Sequence, residues 1–243
     1  MNKKLERWLK QTLYVPGGHC PVCRRILFQK DMWVCPLCKS ELKPVAGHVC
    51  HRCGRPLFKH EGETCGRCSD AQTFYYNGGY GHWLYREGVA KMVQRCKFYN
   101  EKELAYWIGE EMAKGWLLKY PSVQIDVVIP VPLHHNRFKD RGYNQSEWLC
   151  KGMLATLALP ESVLNTKVLI RTKDTAHQPG KGRQARIENV RDAFRVVDSH
   201  TIQDKNILVV DDVLTTGATL RACGALLKEN GAKILYSCVA AID

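Results

Sequence analysis

Apolar positions along the chain follow two regimes. In the second half, short apolar runs alternate with helical periodicity. Residues 207–210 are an unbroken apolar run of strand length, and residues 125–129, apolar but for Asp126, and residues 163–170, 193–197 and 233–240 also predict strands. Residues 146–157 and 218–229 predict helices, and residues 183–191 a short one. Upstream, residues 86–98 and 101–119 are helical in period, with Leu104, Ile108, Met112 and Trp116 spaced by fours. Residues 73–85 are aromatic and Gly-rich (Phe74, Tyr75, Tyr76, Tyr80, Trp83, Tyr85) and predict a strand or hairpin. Residues 2–13 predict a short amphipathic helix with Leu5, Trp8, Leu9 and Leu13 on one side, ended by Pro16-Gly17-Gly18. Strands alternating with helices predict an α/β fold with a mostly parallel sheet flanked by helices. Ligands of such sheets sit at the carboxyl ends of the strands. Pro130-Val131-Pro132 and Asp211-Asp212 are both expected there.

Residues 19–70 hold no long apolar run, and cysteines take its place. Four Cys-x-x-Cys pairs, Cys20/Cys23, Cys35/Cys38, Cys50/Cys53 and Cys65/Cys68, each begin 15 residues after the last. Such a turn aims two thiolates at one cation, and two turns complete a tetrahedral zinc site. Eight cysteines make two closed, structural four-cysteine sites. Adjacent pairing gives a double zinc ribbon; equal gaps leave cross-braced pairing open. Disulfides are disfavoured by the expected reducing compartment, and iron–sulfur ligation by the even spacing. His19, His48, His51 and His60 lie nearby and are read as non-ligands. Cys96, Cys150, Cys223 and Cys238 stand in apolar helix or strand contexts and are expected as buried small hydrophobes.

Composition adds a partner class. The 243 residues carry a formal charge of +12, at 45% hydrophobic and 25% charged content, so a soluble protein with an anionic partner is expected. Residues 1–70 hold 13 Lys and Arg against 6 Asp and Glu, the denser share of that charge. Arg24, Arg25, Arg52, Arg55 and Arg67 beside the cysteine turns are placed to touch phosphates, and a solvated basic face accounts for them equally well. No run reaches a membrane span, and the charged N-terminus lacks a signal-peptide core; a cytoplasmic protein is expected.

The chemistry concentrates in residues 207–219. The apolar run enters Asp211-Asp212, and Val213-Leu214-Thr215-Thr216-Gly217-Ala218-Thr219 follows. Vicinal carboxylates accept hydrogen bonds from a vicinal diol or share a metal ion with it. Thr215, Thr216 and Thr219 offer hydroxyls, Gly217 allows close backbone approach, and the next helix points its N-terminus at the same place. The whole is an anion cradle with a diol clamp. A buried strand ending in a solvated acidic turn has the same pattern. A Walker B strand also does, but no Gly-x-x-x-x-Gly-Lys-Ser/Thr accompanies it.

Two further loops are basic. The one after Pro130, carrying Val131, Pro132, Leu133, Arg137, Lys139 and Arg141, is suited to pyrophosphate. Residues 171–182, with Arg171, Lys173 and Gln178, read as a mobile basic loop able to close on an anion.

Residues 207–219 closely resemble the thirteen-residue PRPP motif of type I phosphoribosyltransferases, where PRPP is 5-phosphoribosyl 1-pyrophosphate. The resemblance implies that Asp211 and Asp212 face the ribose hydroxyls and Mg2+, and that Thr215, Thr216, Gly217, Ala218 and Thr219 hold the 5′-phosphate. Hypoxanthine–guanine salvage enzymes place an Asp where this chain has Thr215, so that subclass is disfavoured.

Arg141-Gly-Tyr-Asn-Gln-Ser146, Arg171-Thr-x-x-Thr-x-x-Gln178 and Arg186-x-x-Asn189-Val-x-x-Ala-Phe194, with the cysteine pairs, resemble the hallmarks of the ComF/ComFC competence family. That resemblance implies a zinc-binding double ribbon over residues 1–72 and a type I phosphoribosyltransferase-like domain over residues 73–243. It implies two structural Zn2+, Mg2+ with PRPP, and a role in natural transformation, handling incoming single-stranded DNA beside a competence DNA translocase ATPase. An enzyme moving phosphoribose from PRPP to an unknown base, and a PRPP sensor without turnover, remain open beside it. No residue is assigned as catalytic.

Overall fold

The protein's computed structural model describes residues 18–29, 32–69, 75–174 and 192–243. The helices expected over 2–13 and 183–191, together with Phe74 and Gln178, lie outside the described residues.

Four strands, β1 (Gly78–Leu84), β2 (Val127–Pro130), β5 (Asn206–Leu214) and β6 (Ile234–Ile242), form one sheet in the order β1-β6-β5-β2, every pair parallel. Parallel strands need covered faces, and the strands alternate accordingly. Leu208 and Val210 join a cluster with Leu104, Ile108, Met112 and Trp116 of α4 (Lys102–Lys119) and Leu149 and Met153 of α6 (Gln145–Thr156). Ile207 and Val209 point the other way, to Leu220, Cys223 and Leu227 of α7 (Ala218–Glu229). The four-spaced apolar residues expected of α4 are thus its buried stripe. Cys96, Cys150, Cys223 and Cys238 are all buried, as their contexts predict.

The aromatic stretch is a strand, one of its two expected forms, and β1 pairs with the distant β6. Two other elements depart from expectation. The strand expected over 163–170 breaks into a 3-10 turn (Glu161–Val163) and a short β3 (Leu169–Arg171). Asn165 breaks it: its side-chain oxygen accepts from the amides of Lys167 (3.0 Å) and Val168 (2.9 Å), a local turn that competes with strand pairing. β3 then pairs antiparallel with β4 (Phe194–Val196), apart from the main sheet. Finally, β5 runs through the acid pair to Leu214, because β6 continues beside it as far as Ile242.

The cysteine segment is two copies of one ribbon, thirty residues apart. Cys20 N donates to Arg25 O (2.8 Å) and Cys50 N to Arg55 O (2.7 Å); Leu27 N donates to Gly18 O and Leu57 N to His48 O. Each copy ends in a short helix carrying its last cysteine, α1 (Pro36–Glu41) and α2 (Gly66–Ser69). The repeat is written as Cys23-Arg24-Arg25-Ile26-Leu27-Phe28 and Cys53-Gly54-Arg55-Pro56-Leu57-Phe58. Both copies lie against β1, an edge strand otherwise open to pairing. Val45 N donates to His82 O (2.7 Å) and Gly79 N to His51 O (3.1 Å). The second copy docks closest: Gly54, at φ +77, has room for no Cβ, which would stand 2.7 Å from Gly81 N.

Candidate functional site

The two cysteine groups are resolved as adjacent pairs. Cys20, Cys23, Cys35 and Cys38 form one cluster and Cys50, Cys53, Cys65 and Cys68 the other, each with its sulfurs within 4.8 Å of one another. Sγ–Sγ separations of 3.6 Å (Cys23–Cys35) and 3.7 Å (Cys53–Cys65) exceed a disulfide, about 2 Å. They match the edge of a tetrahedron with Zn–S near ~2.3 Å, about 3.8 Å. Hydrogen bonds from Cys53 and Cys68 lower the Cys50 thiol's pKa, and both donors are raised in turn. Four thiolates so close need a cation. The donor set fits structural zinc at both sites, with all four positions filled by sulfur.

The second centre is built where β2 stops. β5 pairs with β2 only from Ile207 to Val210, so its edge from Asp211 onward opens into a cleft of about 930 Å³. Val131 N still reaches Val210 O (2.9 Å), and the chain then turns away through Pro132 and Leu133. Successive strand residues face opposite ways, yet both Asp211 and Asp212 line this cleft because the neighbouring strand is missing there.

Each acid is held by the N-terminal turn of α6. Asn144 caps that helix, accepting from Ser146 N (3.0 Å), and its amide donates to Val131 O (3.0 Å). Gln145 Nε2 donates to Asp212 Oδ2 (2.7 Å), and Ser146 Oγ donates to Asp211 Oδ1 (3.2 Å). Arg141 donates to Gln145 Oε1, Gly142 at φ 79 ends α5 (His135–Arg141), and Tyr143 OH donates to Cys96 O. Lys97, at the end of α3 (Glu87–Phe98), pairs with Asp212 Oδ2 at 3.0 Å. Among the described residues, Asp211 has no such cation in contact. Desolvation, then the neighbouring Asp212 carboxylate, push its carboxyl up to about 7.

Among the expected site residues, Val131, Pro132, Leu133, Arg137, Arg141, Arg171, Asp211, Asp212, Thr215 and Thr219 share the cleft wall. Thr216 and Gly217 line a small gap behind the loop, and Ala218 begins α7 behind the N-cap Gly217, whose φ of 78 favours glycine. Lys173 is turned away, 3.8 Å from Asp192. Arg137 pairs with Asp174 (3.3 Å) at the cleft mouth. Burial lowers the pKa of both Arg141 and Arg171. The wall is therefore two carboxyls facing a cluster of cations, complementary to a diol that carries phosphates. Sequence pattern gives Lys97, Gln145 and Ser146 no role; the motif Arg141–Ser146, next to a strand end, is the signal that points to Gln145 and Ser146, and nothing local points to Lys97.

Residues 9–69 match the model of the double zinc ribbon domain, and residues 161–242 that of the phosphoribosyl transferase domain. The chain is 32% identical to competence protein F of Haemophilus influenzae over 62% of its length and 66% of that protein. It is 29% identical to the DNA utilization protein YhgH of Escherichia coli K12 over 61% of this chain and 64% of that one. It is 27% identical to competence protein ComFC of Bacillus subtilis over 61% and 57%. The matches thus span about two thirds of these relatives or less.

Proposed function

The chain belongs to the ComF/ComFC competence family, a double zinc ribbon joined to a phosphoribosyltransferase domain, and from that premise we propose that it binds PRPP with Mg2+ and handles single-stranded DNA in the cytoplasm. The observation that carries the ligand is the open edge of β5, where two carboxyls stand between a basic loop and a Gly-Thr turn. We place the functional boundary near residue 72, with the residues that touch PRPP all in 73–243.

In this reading the ribose diol donates to Asp211 and Asp212, which Ser146 and Gln145 keep aimed at the cleft. Thr215 to Thr219 receive the 5′-phosphate at the N-terminus of α7, where backbone dipoles favour an anion. The pyrophosphate lies against Val131, Pro132, Leu133, Arg137 and Arg141, with Arg171 opposite. The carboxylates would hold Mg2+, a hard cation that neutralises pyrophosphate charge. No helix among the described residues is long and apolar enough to cross a membrane.

The DNA role rests on the names of the relatives and on the ribbon tips. Phe28 and Phe58 occupy equivalent positions in the two copies and stand 86% and 72% exposed, beside Arg25 and Lys59. An exposed ring next to a cation suits an unstacked base and its phosphate. The combined change Phe28→Ala with Phe58→Ala is expected to weaken binding of a single-stranded oligonucleotide about thirtyfold or more at low salt. Binding should fall steeply as salt rises. An oligonucleotide that fails to bind wild-type protein at low salt sinks the DNA role.

A second reading, transfer of phosphoribose to an aromatic base, is favoured by the cleft mouth. Tyr85, Phe98 and Tyr99 line it, and Phe98 and Tyr99 are 73% and 66% exposed with no burial to explain them. Pyrophosphate release from PRPP across a panel of bases separates the readings. Turnover with one base establishes the enzyme; PRPP binding without turnover favours the DNA-handling protein or a sensor.

A further inference from the structure

The phosphate loop is not held by its own domain alone. Thr215 O accepts from Arg55 Nη2 (2.8 Å) and from Arg67 Nη1 (2.9 Å), both carried by the second ribbon. Thr216 O accepts from Arg221 Nη2 (2.7 Å), and Arg221 Nη1 reaches back to Arg67 O (3.4 Å). Arg55 also donates to Asp243 O, tying the loop to the end of β6. Both ribbon arginines sit beside metal-ligand positions. Arg55 is two residues past Cys53 and its carbonyl closes the Cys50 turn; Arg67 lies between Cys65 and Cys68. The gap between ribbon and loop is about 10 Å³, room for one water at most, so the arginines reach the loop carbonyls directly.

This contact sets the direction of the loop amides. The peptides are trans, so each carbonyl points opposite to the N–H that follows it. Drawing the carbonyls of Thr215 and Thr216 toward the arginines turns the N–H groups of Thr216 and Gly217 the other way. Thr215 and Thr219 line the open cleft on that other side. An anion bound there meets backbone donors that are already oriented, with no peptide flip needed.

We propose that Arg55 and Arg67 are positioning residues of the anion loop, so that the second ribbon, and not the first, is part of the 5′-phosphate site; this rests on the PRPP reading. The first ribbon supplies the internal control. Its counterparts are Arg25 and Leu37, which border a surface groove with Ile26, Phe28 and Met32 and make no bond to the loop.

The test compares full-length Arg55→Ala/Arg67→Ala with Arg25→Ala/Leu37→Ala, each required to retain two zinc ions per chain. Ribose 5-phosphate probes the Thr215–Thr219 loop, and magnesium pyrophosphate probes the loop at Val131–Arg141. The second-ribbon variant should bind ribose 5-phosphate ten- to a hundredfold more weakly and pyrophosphate unchanged. Arg55→Lys/Arg67→Lys should recover part of the loss. The first-ribbon variant should match wild type for both. Backbone order parameters of residues 215–218 in the ligand-free protein should fall only in the second-ribbon variant. Unchanged order parameters, or equal loss of both ligands, overturn the proposal. A fall in order parameters in a protein whose wild type binds no ribose 5-phosphate supports the clamp and sinks the PRPP reading instead.

Discussion

Asp211→Asn should make the ligand-free protein more stable and the ligand site worse. The Asp211 carboxyl titrates at about 7 in the folded protein, against 3.8 when unperturbed. A raised folded-state value means the native protein keeps a proton that the unfolded chain releases. Its stability contribution is therefore complete below pH ~4 and is lost as pH rises through about 7. About three pH units at ~1.4 kcal/mol each give a ceiling of about 4 kcal/mol. Asp211 is half-buried, and solvent on its cleft side reduces that to about 2 kcal/mol. Asparagine keeps the oxygen that accepts from Ser146 Oγ and Asp212 N, and removes the repulsion with Asp212. For a chain of this size, ~2 kcal/mol is a rise of roughly 4–8 °C in melting temperature. The assay is thermal unfolding of wild type and Asp211→Asn at pH 5 and pH 8 without ligand. The gain should be larger at pH 8. A gain no larger at pH 8 than at pH 5, or a loss at both, refutes the reasoning.

Other outcomes follow from the same geometry. Asn144→Ala removes the α6 cap and the bond to Val131 O, so urea unfolding should show a loss of about 2 kcal/mol, with weaker PRPP binding as Gln145 and Ser146 lose their aim. Metal analysis should find two zinc ions per chain, and removing them with a chelator should lower the melting temperature, because ligand geometry and fold are coupled.

Much of this was legible in the sequence. The predicted span of α7 matches the structure residue for residue, and α3, α4 and α6 fall within one residue of prediction, because their apolar stripes were unambiguous. The break at Asn165 was not legible, since apolar residues resume at Val168 after the short polar stretch Asn165-Thr166-Lys167 and a side-chain hydrogen bond decides. The cysteine pairing was undecidable from equal spacing, although the repeated Cys-x-Arg-x-Leu-Phe already marked the two copies. The site itself was half visible. Asp211, Asp212 and the Thr-Gly turn announce themselves in one stretch, but their supports come from residues up to 160 positions away, as with Arg55 and Thr215. Local pattern carries no information about which distant side chains reach a loop. Folding brought Lys97, Gln145 and Ser146 to the acids through the open edge of β5, a property of strand order and not of any segment.

Calorimetric titration of PRPP with Mg2+ into wild-type protein and into the double variant Asp211→Ala/Asp212→Ala tests the central claim most directly. The expected result is one PRPP bound per wild-type chain and none by the variant, whose two zinc ions and folded spectrum are retained. Equal affinity in the two proteins would contradict the assignment of the acid pair as the ribose-binding centre.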